Sequence, residues 1–154
     1  KQLKDAPGFI RDMLVVTDVL FINKDEGFRL IGQESGKHDM SKLLQALHML
    51  GAKTVVVTDG GNGSYVLDSQ GDRMYHAPIR NVPVIERTGA GDAYSTGFLA
   101  GLLFGKDVTE AMRWGSANAT SVIGKIGAQP GLLTKKQMHD VLDAHELSVK
   151  AFHG

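Results

Sequence analysis

The residues best placed to do chemistry are consecutive: Gly89, Ala90, Gly91 and Asp92, at the start of "GAGDAYSTGFLAGLL". Glycine is costly inside regular structure, so two of them just before an apolar run point to a turn that enters a helix. The first N–H groups of a helix have no acceptor within it and sit at the positive end of its dipole. Small side chains let a ligand approach them, which makes the stretch a candidate anion site. An acid there competes with a bound phosphate, so Asp92 makes most sense as a group acting on the incoming molecule, for instance by accepting a hydroxyl proton. A plain helix start with a favourable acid in its first turn fits the same residues. The small face that follows (Ala93, Gly97, Ala100, Gly101) fits close packing on a sheet.

Spacing excludes two familiar phosphate loops. A P-loop needs Gly-x4-Gly-Lys-Ser/Thr, which the chain lacks. A dinucleotide fingerprint needs Gly-x-Gly-x-x-Gly; counted from Gly89 the third position is Tyr94, and counted from Gly61 it is Val66.

The elements that must carry these residues follow from hydrophobic patterning. "TDVLFIN" (17–23) reads as a buried strand and "KDEGFRLIG" as a short helix after it. Over 39–53, Leu43, Leu44, Leu47 and Leu50 recur at helical spacing, with Gly51 just past the helix end. "KTVVVTDGGNG" (53–63) is a β-branched strand running into a glycine turn, and the next stretch reads as two short strands around a turn at 69–72. "VPVIERTGAGD" carries a strand into the glycine motif. Helices follow it, over "AYSTGFLAGLLFG", over the first part of 108–127 with Thr109 as N-cap, and over 132–147 with Thr134 as N-cap. Strands alternating with helices predict one layered, Rossmann-like α/β domain over 1–154 with a mostly parallel sheet flanked by helices.

Composition narrows the partners. Lys plus Arg and Asp plus Glu both number 17, so no basic field invites nucleic acid. The absence of cysteine excludes a disulfide framework and thiol catalysis and fits a reducing, cytoplasmic setting. No apolar run approaches the ~20 residues of a membrane span. The six histidines form no ligand pattern. A small-molecule ligand is the expectation.

Taken together, four stretches in order resemble the ribokinase-like (PfkB) family of carbohydrate and nucleoside kinases. "TGAGDAYSTGFLAGLL" is similar to its C-terminal signature, "INKDEGFRLIG" to its Asn-x-x-Glu segment, "VVVTDGGNGSYVLD" to its strand-and-turn nucleotide segment, and "KIGAQPG" (125–131) to the loop near its adenine and monovalent-cation sites. The resemblance implies a ribokinase-type fold and ATP-dependent transfer of a phosphoryl group to a hydroxyl of a sugar or nucleoside. It implies Asp92 as general base and Gly89, Ala90 and Gly91 as the anion hole. It implies Asn23 and Glu26 at magnesium, and Thr58, Gly60, Gly63 and Asn118 at the nucleotide. Glu86 and Thr88 stand where some members hold a monovalent cation such as potassium. Glu86 replaces the family's usual Asp there, and Tyr94 its usual Phe.

Each residue has a plainer alternative. Asn23 and Glu26 fit a helix cap, Thr58 a strand end, "GGNG" a routine turn and Asn118 a helix-surface amide. The family's Gly-Gly signature, sugar contacts and lid are not visible, so the chain is expected to be the C-terminal, nucleotide-binding portion without the N-terminal half. Uncovered apolar surface would then favour a homodimer or association with an N-terminal portion. The rival reading is a catalytically incomplete nucleotide- or partner-binding α/β module derived from such a kinase.

Overall fold

The two β-branched runs pair with one another. In the computed structural model, β1 (Val19–Asn23) lies parallel to β2 (Thr54–Thr58), and the last rung sets Asn23 opposite Thr58. The structure describes residues 8–33, 39–69, 72–80, 82–127, 129–145 and 147–153. They divide into two compact units, the first holding residues up to 60 with 64–76 and 150–154, the second 61–63 and 77–149.

In the first unit, a parallel pair needs a crossover, and α2 (Lys24–Leu30) and α3 (Met40–Met49) supply it. The leucine stripe of α3 behaves as its spacing predicts. Leu43, Leu44 and Leu47 are fully buried and pack with Phe28, Val55 and Val57, and Leu14 of α1 (Gly8–Val15) closes the cluster. Completely burying one such side chain is worth about 1.5–3 kcal/mol, so this cluster dominates the unit.

The sheet continues with β3 (Ser64–Leu67), β4 (Met74–Ala77) and β5 (Lys150–Phe152), in the order β1-β2-β3-β4-β5. Here the expectation of a mostly parallel sheet needs correcting. β2–β3 and β4–β5 are antiparallel, and the crossover pair β1–β2 is parallel. The physical reason is connection length. Only Asp59, a single 3₁₀ turn (Gly60–Asn62) and Gly63 separate β2 from β3, far too few residues for a parallel crossover. The expected turn at 69–72 joins β3 to β4, but Gln70 and Gly71 lie outside the described residues.

The second unit is helical: α4 (Ala90–Leu103), α5 (Val108–Ile123) and α6 (Lys135–Ala144). α4 and α5 run antiparallel with their backbones almost touching. A methyl group on Gly97 would lie 2.7 Å from the Trp114 carbonyl oxygen, and one on Gly115 would lie 3.0 Å from that of Tyr94. The small-residue face of α4 therefore packs on a helix, not on a sheet as its pattern suggested; a glycine stripe reads alike for either neighbour. No strand forms among the described residues of 82–88. The Ile85 and Glu86 N–H groups both donate to the Ile123 carbonyl at the end of α5, at 2.8 and 3.2 Å, in place of a ladder.

Helix caps also shift one assignment. α5 is capped by Asp107, whose carboxylate accepts the Glu110 N–H at 2.9 Å; Thr109 lies inside the helix and donates its hydroxyl to Asp107 at 2.7 Å. α6 begins as expected, with a capping box between Thr134 and Gln137. The Glu110 N–H, and next the Thr109 hydroxyl, hold the Asp107 carboxyl below its ordinary value. A depressed folded-state value adds stability above the unfolded one and loses it as pH falls through the folded one. Asp107→Ala should therefore cost about 1 kcal/mol at neutral pH, with the difference from wild type shrinking as pH falls below about 4. Urea unfolding of both proteins across that range checks it.

Candidate active site

The sequence-derived candidates divide between the two units. In the first, Asn23 is the N-cap of α2. Its Oδ1 accepts the Glu26 N–H at 2.9 Å, and the Glu26 Oε2 accepts the Asn23 N–H at 3.2 Å. The plainer reading of this pair, a helix cap, is thus realised. It does not exhaust them: both side chains are exposed, and the Glu26 carboxylate uses one oxygen in the cap. Among the described residues no group of three or more His, Cys, Asp or Glu could hold a metal. A magnesium ion here would rest on one carboxylate, one amide and oxygens from water or phosphate. That donor set fits an ion that keeps most of its waters.

Thr58 ends β2 directly across from Asn23, so both side chains stand on one face of the sheet. Gly60 opens the 3₁₀ turn with φ 48° and open space around it. Immediately beyond the Asn23–Thr58 rung, Lys24 Nζ bonds Asp59 Oδ2 at 3.0 Å. Burial, and then the Asp59 charge, push the nearby Tyr65 hydroxyl above its usual value, with Lys24 opposing.

In the second unit, the helix enters at Gly89, not after Gly91. Gly89 is the N-cap of α4 with φ 80°, a left-handed conformation that favours glycine, and no side chain caps the helix. The Ala90 N–H turns back to the Arg87 carbonyl at 3.2 Å, and the first helical bond runs from Ala93 to Gly89 at 2.8 Å. Gly91 and Asp92, in the first turn, have no acceptor within the helix for their N–H groups. Gly91 faces open space and the Asp92 side chain is exposed. This is the presentation an anion site requires. Gly63, with φ 93°, lies where an added methyl would collide with the Ala77 carbonyl.

Glu86 has taken protein donors as partners. Its Oε2 accepts the Gly127 N–H at 2.8 Å. That bond, and then one from the Thr88 hydroxyl, hold its carboxyl below the usual value. The carboxylate thus ties 86–88 to the "KIGAQPG" loop, in which Ala128 lies outside the described residues. Its remaining lone pairs and the Thr88 oxygen are the donors available to a monovalent cation.

Asn118 is buried, contrary to its reading as a helix-surface amide. Its Nδ2 donates to the Ala93 carbonyl at 2.8 Å and its Oδ1 accepts the Leu133 N–H at 2.9 Å. One side chain therefore joins the first turns of α4, the middle of α5 and the approach to α6.

Sequence reasoning did not single out Lys24, Asp59 or the Gly127 amide. The available signal for the first two was adjacency: opposite charges directly follow Asn23 and Thr58.

With this geometry in view, comparison with known proteins is informative. The profile of the pfkB family carbohydrate kinases matches residues 3–135. The chain is 36% identical to the fructosamine kinase FrlD of Bacillus subtilis over 97 residues, 63% of this chain and 34% of that protein. It is 33% identical to a cytidine kinase of Thermococcus kodakarensis over 118 residues, 77% of this chain and 41% of that protein. Among solved structures, the ribokinase of Arabidopsis thaliana, complexed with ribose and ATP, superposes with a TM-score of 0.77 at 29% identity, covering 86% of this chain and 43% of the ribokinase. The chain belongs to the PfkB family of carbohydrate kinases and has its ribokinase-like α/β fold. It spans less than half the length of these relatives.

The structure also separates the buried residue that holds the start of α4 from the glycine it leaves open. Asn118→Ala would strip partners from the Ala93 carbonyl and the Leu133 N–H and should cost about 2 kcal/mol. Gly91→Ala, which meets no atom within 4 Å, should leave stability within about 0.5 kcal/mol. Urea denaturation of the two variants provides the comparison.

Proposed function

We propose that this chain is the nucleotide-binding portion, acting as one domain, of an ATP-dependent phosphotransferase whose acceptor is a sugar or nucleoside hydroxyl. The observation that carries the reading is the start of α4. Backbone N–H groups without helical acceptors and an exposed carboxylate lie within one turn, entered through a left-handed glycine. Family membership, and the naming of relatives as fructosamine and cytidine kinases, support the reaction class.

In this reading the Gly89-Ala90-Gly91 backbone stabilises charge on the transferred γ-phosphoryl group, and Asp92 accepts the proton of the attacking hydroxyl. The hydroxyl oxygen forms the new bond to phosphorus as the bond to the bridging oxygen of ATP breaks. Such transfer relies chiefly on positioning and charge stabilisation, so a base and a backbone cradle suffice for the chain's part. Asn23 and Glu26 would hold magnesium, which supplies neutralisation of phosphate charge when bound. Thr58, Gly60 and Gly63 serve the phosphates and ribose. Asn118 shapes the adenine wall by holding α4 and the approach to α6 together. Glu86 and Thr88 order the 125–131 loop, with a monovalent cation as an optional further partner.

Association with an N-terminal portion or a second copy completes the proposal. β1 ends the strand order, and Leu103 of α4 is 86% exposed. No helix of the described residues is long and apolar enough to cross a membrane.

Calorimetric titration with MgATP tests this reading. Wild type should bind; Gly91→Val should fold and lose at least about tenfold in affinity, equal to ~1.4 kcal/mol. Asp92→Asn should bind within about twofold of wild type, because its proposed role is proton transfer. In chains that turn over, the same change should lower kcat by about 10²–10⁴-fold. Equal binding by wild type and Gly91→Val would remove the anion-hole assignment. Binding without turnover in any longer chain would favour the rival reading of a binding module.

A further inference from the structure

The β1–β2 ladder is closed at each end by an ion pair between residues 35 apart in sequence. At the end where the strands begin, Lys53 bonds Asp18 at 2.7 Å, but the side chains are 60% and 79% exposed. A pair so open to water contributes little. At the end where the candidate residues stand, Lys24 bonds Asp59 at 3.0 Å with exposures of only 25% and 18%. There the polarity is reversed, and each partner directly follows a candidate residue, Asn23 or Thr58.

Thr58 is also paired with Ser64 of β3, but between β1 and β2 the backbone pairing stops at this end. The last rung is Asn23–Thr58, after which the chain departs into α2 on one side and the 3₁₀ turn on the other. The first holds Glu26 and the second begins with Gly60, which has open space around it. A tie between residues 24 and 59 continues the ladder one step past its last backbone bond.

We infer that Lys24 and Asp59 form a positioning pair that fixes the span between the Asn23–Glu26 cap and the Thr58–Gly60 turn. Its functional consequence rests on the nucleotide reading above: both segments would serve one polyphosphate, and the Lys24–Asp59 tie would keep their spacing fixed beside it. The pair touches no reacting atom; it acts by holding groups that do.

The test compares Asp59→Asn, Lys24→Met, the double variant and the reversed pair Lys24→Asp with Asp59→Lys. Asp18→Asn, at the exposed end, is the control. Two readouts are taken on the whole chain: deuterium exchange over 19–26 and 54–60, and MgATP affinity by calorimetry. Each single variant should speed exchange in both segments by about threefold and weaken MgATP by about three- to tenfold, as expected for a partly buried pair. The double should be no worse than the worse single, since one interaction is lost only once. The reversed pair should recover at least about half of the loss, and Asp18→Asn should leave both readouts within about 1.5-fold. Unchanged exchange in the single variants, additive losses, or an equal effect of Asp18→Asn overturns the inference. Faster exchange with unaltered MgATP affinity also overturns it, because the pair would then be structural only. If the wild-type chain does not bind MgATP, it is the nucleotide reading that fails, and the exchange comparison alone decides whether the pair fixes the span.

Discussion

The first unit depends on the parallel register of β1 against β2. Strand side chains alternate faces, so a slip of β2 by one residue would turn Val55 and Val57 away from the α3 leucines, set Thr54, Val56 and Thr58 against them, and take Thr58 off the face it shares with Asn23. The burial of Val55, Val57, Leu43, Leu44 and Leu47 makes that slip prohibitive. Hydrophobic packing, which has no direction of its own, thereby specifies where two polar residues stand at the ladder's end. The cap on α2 and the turn after β2 are built outward from that rung.

The second unit meets a different constraint. A helix start that presents free N–H groups cannot satisfy them with a capping side chain, so α4 must be held by other means. Its own contacts do this: the glycine-lined approach to α5 and the two bonds of Asn118. α2, α5 and α6 all begin at side-chain caps, from Asn23, Asp107 and Thr134. α4 alone among these four enters through a glycine. The uncapped end is stabilised further along the helix instead of at its tip.

Much of this was readable from residues in order. The leucine spacing of α3, the β-branched run of β2, the Thr134 cap and the glycine entry to α4 are local signals, and local physics decides them. What escaped was decided in part by neighbours distant in sequence. Strand direction in the sheet follows from connection length, whereas helix-strand alternation suggests mostly parallel pairing. The run at 82–88 carries strand-forming residues, but its N–H groups bond to the end of α5. β5 spans three residues, too short for any periodicity to register. Thr109 reads as the cap of α5 from sequence, and the structure uses Asp107, an equally good cap two residues earlier. Among site residues, Asn118 is a candidate only through the family resemblance and lies outside the four matched stretches; that its amide is consumed by protein bonds depends on Ala93 and Leu133, which no spacing rule links to it.

The near-contact of α4 with α5 makes the helix a lever. Gly97 stands eight residues from Gly89, about 12 Å along the axis at 1.5 Å per residue. With the pivot so far from the tip, a side chain added at position 97 would tilt the whole rod and swing its leading amides through an arc. In the phosphotransfer reading, displacements on the order of 1 Å at such a tip are enough to impair a reaction that depends on alignment. Aim, in this fold, is adjusted at the fulcrum, and sequence drift there would alter function in a protein that still folds.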